Sequence, residues 1–421
     1  MRPGLMLAAS AAAAALACAG GPSPEELAEA ALVERARGIH ERVVTLDSHV
    51  DIPLDFATFN VDPGRRGDQQ VDLPKMREGG LDAAFFIVYV GQTERTPDNY
   101  ARARADAMTK FEAIHRMAGE MYPDDIEIAY RADDVERIAA SGKLVAAIGI
   151  ENGYAIGTDL DRLAEYHELG ARYMTLAHSG HNDIADSATV RGGAGETGPE
   201  HGGVSEFGAQ VIAEMNRLGI MVDVSHISKE AMLAATRLSA APVIASHSSI
   251  AALHEHARNM DDEQLDALRA GGGVLQTVAL GAFLTESAER LSVAYARLRA
   301  DFGMIPGQQP EELGAEPAID FLDRLDGLNE RYPDAAVADF VDHVDYAVER
   351  MGIDHVGISS DFDGGGGVSG WSDASETLNV TVELVRRGYT EVEIEKLWGG
   401  NLLRVWREAE RVAADLQAAG G

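Results

Sequence analysis

Eight short apolar runs, each the length of one β-strand, recur along the 421-residue chain and alternate with segments of helical periodicity. Runs of this kind indicate strands buried on both faces, as in a parallel sheet covered by helices. Eight such units favour a closed (β/α)8 barrel, a TIM-like α/β fold, over an open doubly wound sheet. No G-x-G-x-x-G sequence follows the first run, which weakens a dinucleotide-binding alternative. The predicted strands are Val43–Leu46, Ala83–Val90, Leu144–Ile150, Arg172–Ala177, Ile220–Ser225, Pro242–Ser246, Gly273–Val278 and His355–Ser360.

The segments between the runs carry helix signals. In the clearest case, Ser205 is a candidate N-cap and Gly219 follows the last residue of the helical pattern. Between the seventh and eighth predicted strands, residues from about 285 to 334 are too long for an ordinary loop and are partly helical. We expect this helical insertion to form either a cap over a site or a surface decoration.

The first residues have the composition of an export signal. Residues 1–18 contain one Arg, a short Ala/Leu-rich stretch and small residues near Ala17. The only cysteine, Cys18, stands where a lipoprotein signal is processed, and the alternative is secretion after cleavage at an Ala-x-Ala site. We therefore expect export to the periplasm or outer cell surface, with a lipid anchor to the membrane through Cys18. A linker, 19–24, would then precede a single domain, 25–421.

The charge and cysteine content restrict the possible partners. The net charge of −33 and the pI of about 4.6 argue against binding to nucleic acid or to an anionic membrane surface, since both require a basic surface. A single cysteine leaves no internal disulfide, so stability has to come from core packing.

Metal-binding residue types stand at the ends of the predicted strands. His49 and Asp51 follow the first strand with i, i+2 spacing, which directs both side chains to the same face of an extended chain. Because the C-terminal ends of barrel strands meet at one rim, these side chains should converge. If these residues only terminated buried strands and did not bind metal, we would expect Ser, Asn, Gly and Asp at these positions and not histidine. The other strand ends carry Glu151, His178, His226, His247 and Asp361.

The donor set indicates two metal ions. Even three of these histidines with one aspartate and one glutamate are more ligands than one open catalytic zinc takes. A carboxylate such as Glu151 can bridge two cations about 3.5–4 Å apart, and such a pair activates a shared water. We predict two Zn²⁺ per chain, with Mn²⁺ and Fe²⁺ as alternatives for the same ligands.

Seven stretches surround these residues in order from about Val43 to Trp406: DSHVDIP, GIENGYAI, RYMTLAHSGHND, NRLGIMVDVSHIS, APVIASHSSIAALHEHARNM, DHVGISSDFDG and NLLRVW. Together they resemble the renal-type (membrane) dipeptidases, binuclear zinc peptidases of the amidohydrolase superfamily. The most specific stretches are SHSS with Arg258-Asn259 at the matching distance, and DFDG after the last strand.

The resemblance implies a metal ligand set. One zinc would be held by His49 and Asp51, and the other by His226 and His247. Glu151 would bridge the two ions.

The resemblance also implies roles in substrate binding and catalysis. His178 would contact the scissile carbonyl and help to stabilise the oxyanion. Asp361 would carry a proton from the bridging water to the leaving amine, with Asp363 as the rival for this role. Arg258, next to Asn259 in the substrate-binding stretch, would pair with the terminal carboxylate of the substrate.

Some histidines and one asparagine fall outside this pattern. Asn152 stands where Gly is expected, and His181 lies in a loop that differs from many relatives. We expect both to lie close to the substrate and to affect specificity. His181 and His201 are interpreted as solvated loop residues, with substrate contact as the alternative, and His343 as a surface or groove residue of a helix.

The expected function is hydrolysis of dipeptides by a metal-dependent dipeptidase through a metal-bridging water. One alternative keeps the site and changes the substrate to other small acyl amino acids, as in an amidase or lactamase. The other is a non-catalytic metal- or solute-binding lipoprotein, which would have no need of Asp361. A dipeptide is the expected small-molecule partner, and a homodimer is an open alternative to a monomer.

Overall fold

A computed structural model describes residues 23–191, 195–305 and 308–420. The export segment 1–18, with Cys18, and linker residues 19–22 lie outside this range, so the predictions made for them stay predictions. Among the described residues, no helix has the length and apolar character required to cross a membrane.

The centre of the molecule is one parallel sheet whose strands follow the order β1-β2-β4-β5-β6-β7-β8-β9, with β3 paired only to β4. The ring closes where the N–H of Asp51 donates to the carbonyl of Phe362, at 2.9 Å. The predicted TIM-like (β/α)8 barrel is therefore confirmed. The strands are β1 (Leu46–Asp51), β2 (Ala83–Tyr89), β3 (Ile126–Ile128), β4 (Leu144–Glu151), β5 (Ala171–Thr175), β6 (Met221–Asp223), β7 (Ile244–Ser248), β8 (Val274–Val278) and β9 (Val356–Ser359).

Helices connect the strands and cover the outside of the barrel. Ser205 caps the sixth helix by accepting a hydrogen bond from the N–H of Gly208, and Gly219 ends it in the left-handed conformation. The helices are α1 (Pro24–His40), α2 (Leu73–Gly79), α3 (Pro97–Arg116), α4 (Ala132–Ala140), α5 (Arg162–Glu168), α6 (Glu206–Leu218), α7 (Lys229–Leu238), α8 (Asp262–Ala270), α9 (Gly281–Leu284), α10 (Glu286–Asp301), α11 (Ala315–Arg331), α12 (Val337–Met351), α13 (Leu378–Arg386), α14 (Glu391–Glu395) and α15 (Asn401–Gly420).

Alternation along the strands creates two apolar layers. On β2, Phe85 points into the barrel, whereas Phe86 packs outward against the helices. The inner layer also contains Trp406 of α15, whose ring centroid lies 5.6 Å from that of Phe85. The barrel interior is thus a packed core, which leaves the C-terminal rim of the strands as the place for a site.

The first strand is displaced from its prediction. Val43–Leu46 was expected, but β1 runs from Leu46 to Asp51 and contains the polar residues thought to follow it. Buried Asp47 makes this arrangement possible, because its carboxylate accepts hydrogen bonds from the N–H groups of His49 and Ser360. A polar stretch is therefore accommodated inside the sheet. The three-residue β3 was too short to leave a recognisable pattern.

The segment between β8 and β9 contains α10 and α11, which pack together through Phe302 and Phe321 at 5.3 Å between ring centroids. Helix α10 lies beside the rim, where Glu289 pairs with His254 at 3.1 Å. Among the described residues, α10 and α11 contribute none to the wall of the central cavity. In its described part, the insertion accordingly sits next to the mouth of the barrel and does not cap it.

His343 on α12 corrects a smaller prediction. It is buried and not a surface residue: Nδ1 accepts the N–H of Ile250 at 3.2 Å, and Nε2 lies 3.1 Å from the carbonyl of Leu284. Burial lowers its pKa to about 4, so it stays neutral and links the β7 loop to α9.

Candidate metal centre

The predicted strand-end residues meet at the C-terminal rim of the barrel, around a cavity of about 510 Å³. His49 lies directly beneath this cavity and is fully buried. The cavity is lined on its inner wall by Asp51, Glu151, His178, His226, His247, Arg258 and Asp361.

Glu151, the last residue of β4, lies between two groups of donors. Its Oε1 is 3.0 Å from Nε2 of His226 and 3.3 Å from Nε2 of His247. Its Oε2 is 3.7 Å from Nε2 of His49, which in turn lies 3.6 Å from Oδ2 of Asp51. Each carboxylate oxygen thus faces a different pair of side chains, which is the arrangement that a bridging ligand requires.

The spacing of the donor atoms fits divalent cations. Nε2 of His226 and Nε2 of His247 are 2.7 Å apart, and Oε1 of Glu151 completes a compact triangle with them. Ligands of a tetrahedral cation at about 2.0–2.1 Å lie roughly 3.3 Å from one another, close to these separations. Nε2 of His49 is buried and has no hydrogen-bond partner among the described residues. A cation on each side of Glu151 would satisfy these nitrogens.

His49 is oriented by a tyrosine on β5. Nδ1 of His49 lies 2.9 Å from the hydroxyl of Tyr173, and that hydroxyl donates to the carbonyl of Ser48 at 2.9 Å. Because the Tyr173 proton is used in this way, Nδ1–H of His49 must be the donor. Nε2 is therefore the nitrogen that faces the site and can bind a cation once it has lost its proton.

His247 is oriented by a buried carboxylate. Nδ1 of His247 lies 2.8 Å from Oγ of Ser246, whose hydroxyl donates to Asp223 at 2.6 Å. Asp223 is fully buried at the end of β6 and also accepts a hydrogen bond from Thr175. Nδ1–H of His247 therefore donates to Ser246, which again leaves Nε2 free for a ligand bond.

Three site residues have unusual backbone conformations. His226 has φ 67°, Asp361 has φ 57° and Asp363 has φ 61°, all in the left-handed region that residues other than Gly seldom adopt. Such conformations cost free energy and concentrate at functional sites.

The charges of the surrounding groups keep Glu151 ionised. Burial alone would raise its pKa, but His178 and His49, together with hydrogen bonds from His226 and His247, hold it well below the usual range. A charged carboxylate at this position is the ligand form that a bridging role requires.

Asp361 has the opposite character. Burial raises its pKa well above the usual range, and the neighbouring carboxylates of Asp51 and Glu151 add to this effect. Its Oδ1 lies 3.9 Å from Nε2 of His49, at the edge of the donor cluster. Asp361 is thus a carboxyl group that can hold a proton beside the donors.

Asp363, the rival for the same role, is held differently. Its two oxygens accept the N–H groups of Gln70 and Val71 at 2.9 and 3.2 Å. Burial raises its pKa to about 6. Asp363 lines the cavity, but its hydrogen bonds fix the loop at Gln70, whereas Asp361 lies beside the donor atoms.

Arg258 brings a buried positive charge to the cavity. Its guanidinium donates to the carbonyl of His247 at 3.0 Å and to Oγ of Ser248 at 3.4 Å, and it lies 5.5 Å from the ring centroid of Phe283. Its Nε has no partner among the described residues. Burial lowers its pKa to about 10, so it remains charged at neutral pH.

Comparison with known proteins agrees with this geometry. Residues 33–420 match the family model described as membrane dipeptidase, peptidase family M19. The chain belongs to this family. The resemblance inferred from the sequence motifs is therefore confirmed.

Relatives of this membrane dipeptidase family member cover most of the chain. Dipeptidase tcpJ from Claviceps purpurea is 35% identical over 349 residues, covering 82% of this chain and 70% of that protein. The uncharacterized dipeptidase C965.12 from Schizosaccharomyces pombe is 32% identical over 405 residues, covering 91% and 84%. Among crystal structures, the probable dipeptidase PvdM from Pseudomonas aeruginosa has a TM-score of 0.80 at 34% identity, covering 91% of this chain and 100% of that one.

Within this membrane dipeptidase fold, Asn259 was predicted to bind substrate but occupies a supporting position. Its amide donates to the carbonyls of His254 and Phe283, at 2.8 and 2.7 Å, and it is not part of the cavity wall. These bonds hold the loop that carries Arg258 against α9. Asn259 thus supports the loop of Arg258 and does not itself line the cavity.

The departures Asn152 and His181 also lie outside the cavity wall. Asn152 has φ 80°, which explains why Gly is the expected residue there, and its amide donates to the carbonyl of Val90 at 3.1 Å. His181 is buried and not solvated; its Nδ1 accepts the N–H of Ser187 at 3.0 Å. His201 is half-buried, with Nε2 2.8 Å from the carbonyl of Asn182. All three fix loops around the site.

Several residues around the centre were not identified from the sequence. Tyr89 and Lys110 line the cavity, and Tyr173 and Asp223 orient the histidine donors. Asp223 left one signal that could have been used: it is a carboxylate inside an otherwise apolar predicted strand, which requires a buried partner. Lys110 left none, because a lysine in an amphipathic helix normally faces solvent.

Proposed function

We propose that this chain is a metal-dependent dipeptidase that binds two divalent cations, Zn²⁺ by preference, and hydrolyses the peptide bond of dipeptides. The observation that carries the proposal is Glu151, whose two oxygens face separate donor pairs inside a cavity that also holds the cationic Arg258. Membership of the membrane dipeptidase family and relatives named as dipeptidases support the same activity.

The two ions would be held on either side of Glu151. His49 and Asp51 would bind one, and His226 and His247 the other. Bound there, the ions would supply an activated water and polarise the carbonyl group of the substrate. Zn²⁺ suits this mixture of imidazole and carboxylate donors, with Mn²⁺ and Fe²⁺ as alternatives.

Asp361 and His178 are the residues for proton transfer and carbonyl stabilisation. Asp361 lies beside the donor atoms, where a carboxyl group can take up a proton and deliver it to the leaving amine. His178 lines the cavity, with Nε2 3.6 Å from Oε1 of Glu151. A ring N–H at this position would donate to the carbonyl oxygen as negative charge develops on it.

Arg258 would set the length of the substrate. Its guanidinium would pair with the terminal carboxylate one residue beyond the scissile bond. In a tripeptide the carboxylate lies a further ~3.3–3.6 Å along the chain and loses this partner. The cavity would therefore favour dipeptides over longer peptides.

The test is a comparison of a dipeptide, its C-terminal amide and the corresponding tripeptide on the metal-loaded protein. We expect rapid cleavage of the dipeptide, poor cleavage of the other two, and loss of all activity with a chelator. Arg258→Lys should reduce kcat/KM for the dipeptide, since an ammonium cannot reproduce a two-point contact. Equal kcat/KM for the three substrates would exclude Arg258 from this role and favour an amidase or lactamase, and no turnover would favour a binding protein.

We also propose that the protein is exported and anchored by a lipid on Cys18, on the basis of the sequence of residues 1–18. Wild-type protein should then fractionate with membranes, and Cys18→Ala should move to the soluble fraction. Identical fractionation of the two forms would leave ordinary secretion as the route.

A further inference from the structure

Lys110 is a buried cation without an anionic partner of its own. It lies on α3, its residue is 5% exposed, and its side chain lines the central cavity. Among the described residues, no carboxylate forms an ion pair with its ammonium, which faces the cavity. Nζ lies 5.5 Å from the centroid of the Tyr89 ring.

The position of Lys110 in the barrel is opposite that of Arg258. Lys110 belongs to the helix that follows β2, and Arg258 to the loop that follows β7. In the strand order, β2 is second and β7 sixth, so four places separate them in a ring of eight. The cavity therefore has one cation on each of two facing walls, with the donors of Glu151 between them.

A buried ammonium is costly unless a negative group compensates it. The ring of Tyr89 gives a cation–π contact, which offsets only part of that cost. Burial lowers the pKa of Lys110, while the carboxylates of Asp51, Glu151 and Asp106 act in the opposite direction. In the proposed function Asp51 and Glu151 bind cations, and Asp106 is exposed on the outer side of α3. Inside the cavity, Lys110 is therefore left in need of an anion from the ligand.

We propose that Lys110 selects dipeptides whose first residue carries an acidic side chain. This inference rests on the proposed function, in which Arg258 binds the terminal carboxylate of the second residue. The scissile bond then lies over the donors of Glu151, and the first residue extends toward the opposite wall. An aspartate or glutamate side chain there would meet the ammonium of Lys110. Lys110 and Arg258 would then each bind one carboxylate of the dipeptide.

The test uses matched substrates on the metal-loaded full chain: Glu-Ala against Gln-Ala, and Asp-Ala against Asn-Ala. For the better of the two pairs we expect kcat/KM to be about 10- to 100-fold higher for the acidic member, the value of one hydrogen bond to a charged group. Ala-Glu against Ala-Gln is the positional control and should show a much smaller ratio.

Two variants of Lys110 test whether this residue causes the preference for the acidic substrates. Lys110→Gln should bring the ratio of Glu-Ala to Gln-Ala close to one, chiefly by lowering kcat/KM for Glu-Ala, and Lys110→Met should do the same. Lys143→Gln is the matched control. Lys143 immediately precedes β4, at the opposite end of the barrel, where it donates to the carbonyl of Pro123. It should retain the wild-type ratio.

The outcomes separate this inference from the proposed function. Cleavage of Gln-Ala and Asn-Ala with both wild-type ratios near one would overturn the role of Lys110 and leave the dipeptidase function intact. An equal or larger ratio for Ala-Glu would overturn it as well. Failure to cleave any dipeptide would overturn the proposed function and this inference together. If the Lys110 variants do not fold, the wild-type ratios still decide.

Discussion

The two sides of the candidate metal centre share Glu151 but are built in different ways. On one side, His49 and Asp51 lie two residues apart in β1, so a single strand presents both donors. On the other side, His226 and His247 follow or end two different strands, and His226 has a left-handed backbone. One side therefore depends on the geometry of a single strand, and the other on the relative position of two.

The supporting hydrogen bonds differ in the same way. His49 is held by the neutral hydroxyl of Tyr173, whereas His247 is held through Ser246 by the charge of Asp223. Nδ1 of His226 is buried without a partner among the described residues. The His226–His247 side therefore relies more on its surroundings and should be the easier one to disturb.

The largest effect is expected from Glu151→Gln, because Glu151 is the ligand that both sides share. A neutral carboxamide cannot bridge two cations, so metal content should fall on both sides. Activity should fall by more than about 10³-fold, since the ions contribute several kcal/mol to the transition state. Elemental analysis and dipeptide turnover provide the measurement. Loss of only one ion would mean that Glu151 belongs to one side.

Asp361→Asn should leave both sides occupied. We expect normal metal content and substrate binding with kcat lowered by roughly 10²- to 10⁴-fold, because a positioned acid/base is lost. Asp363→Asn is the comparison variant, since Asp363 accepts hydrogen bonds from the loop at Gln70. A near-normal kcat in Asp361→Asn together with a low kcat in Asp363→Asn would transfer the role to Asp363.

The two supporting residues provide the sharpest test of the difference between the sides. Asp223→Asn should weaken metal binding at the His226–His247 side by about 10- to 100-fold, the usual effect of removing a partner of a ligand. Tyr173→Phe should weaken the His49 side by less, because a neutral hydrogen bond contributes only about 1 kcal/mol. Competition with a chromogenic chelator measures both affinities. Equal losses in the two variants would contradict the asymmetry.

A smaller difference between the two sides is expected in how their metal affinity depends on pH. Burial alone would lower the pKa of His49, but Glu151 and Asp51 raise it well above the ordinary value, whereas burial lowers the pKa of His226 and of His247 well below it. In metal-free protein His49 thus holds a proton near neutral pH, which an incoming cation must displace. Its affinity should fall by up to about tenfold per pH unit as the pH drops.

Calorimetric metal titrations at several pH values, in buffers with different ionisation enthalpies, would measure the protons released by each side. Proton release should be greater at the His49 side. The same number of protons from both sides would mean that the two histidine environments do not differ as described.

The barrel and its metal donors could be predicted from the sequence because the donor residue types are unusual at the ends of apolar runs. His226 and His247 directly follow apolar runs, where neither packing nor turn formation calls for imidazole, so the barrel and the convergence of donors were both accessible. β1 was misplaced because the prediction followed hydrophobicity, and Asp47 is buried by hydrogen bonds that only the folded chain supplies.

Other features depend on contacts between residues distant in sequence. Asn259 is adjacent to Arg258, yet only the position of α9 decides that its amide binds the carbonyl of Phe283 and not a substrate. Lys110 has the sequence context of a solvated helical residue, yet in the folded chain it lines the cavity. Sequence patterns pointed to the metal donors and to Arg258, whereas Lys110, Tyr173 and Asp223 emerged only from the tertiary structure.

The most direct test of the central claim is a metal titration of the metal-free protein with dipeptidase activity as the readout. Zn²⁺ is added in steps, and bound metal per chain and turnover of a dipeptide are measured on the same samples. If Glu151 bridges two ions, activity should reach its maximum at about two ions per chain and remain low at one. Full activity at one ion per chain, with no further increase, would contradict a two-ion centre.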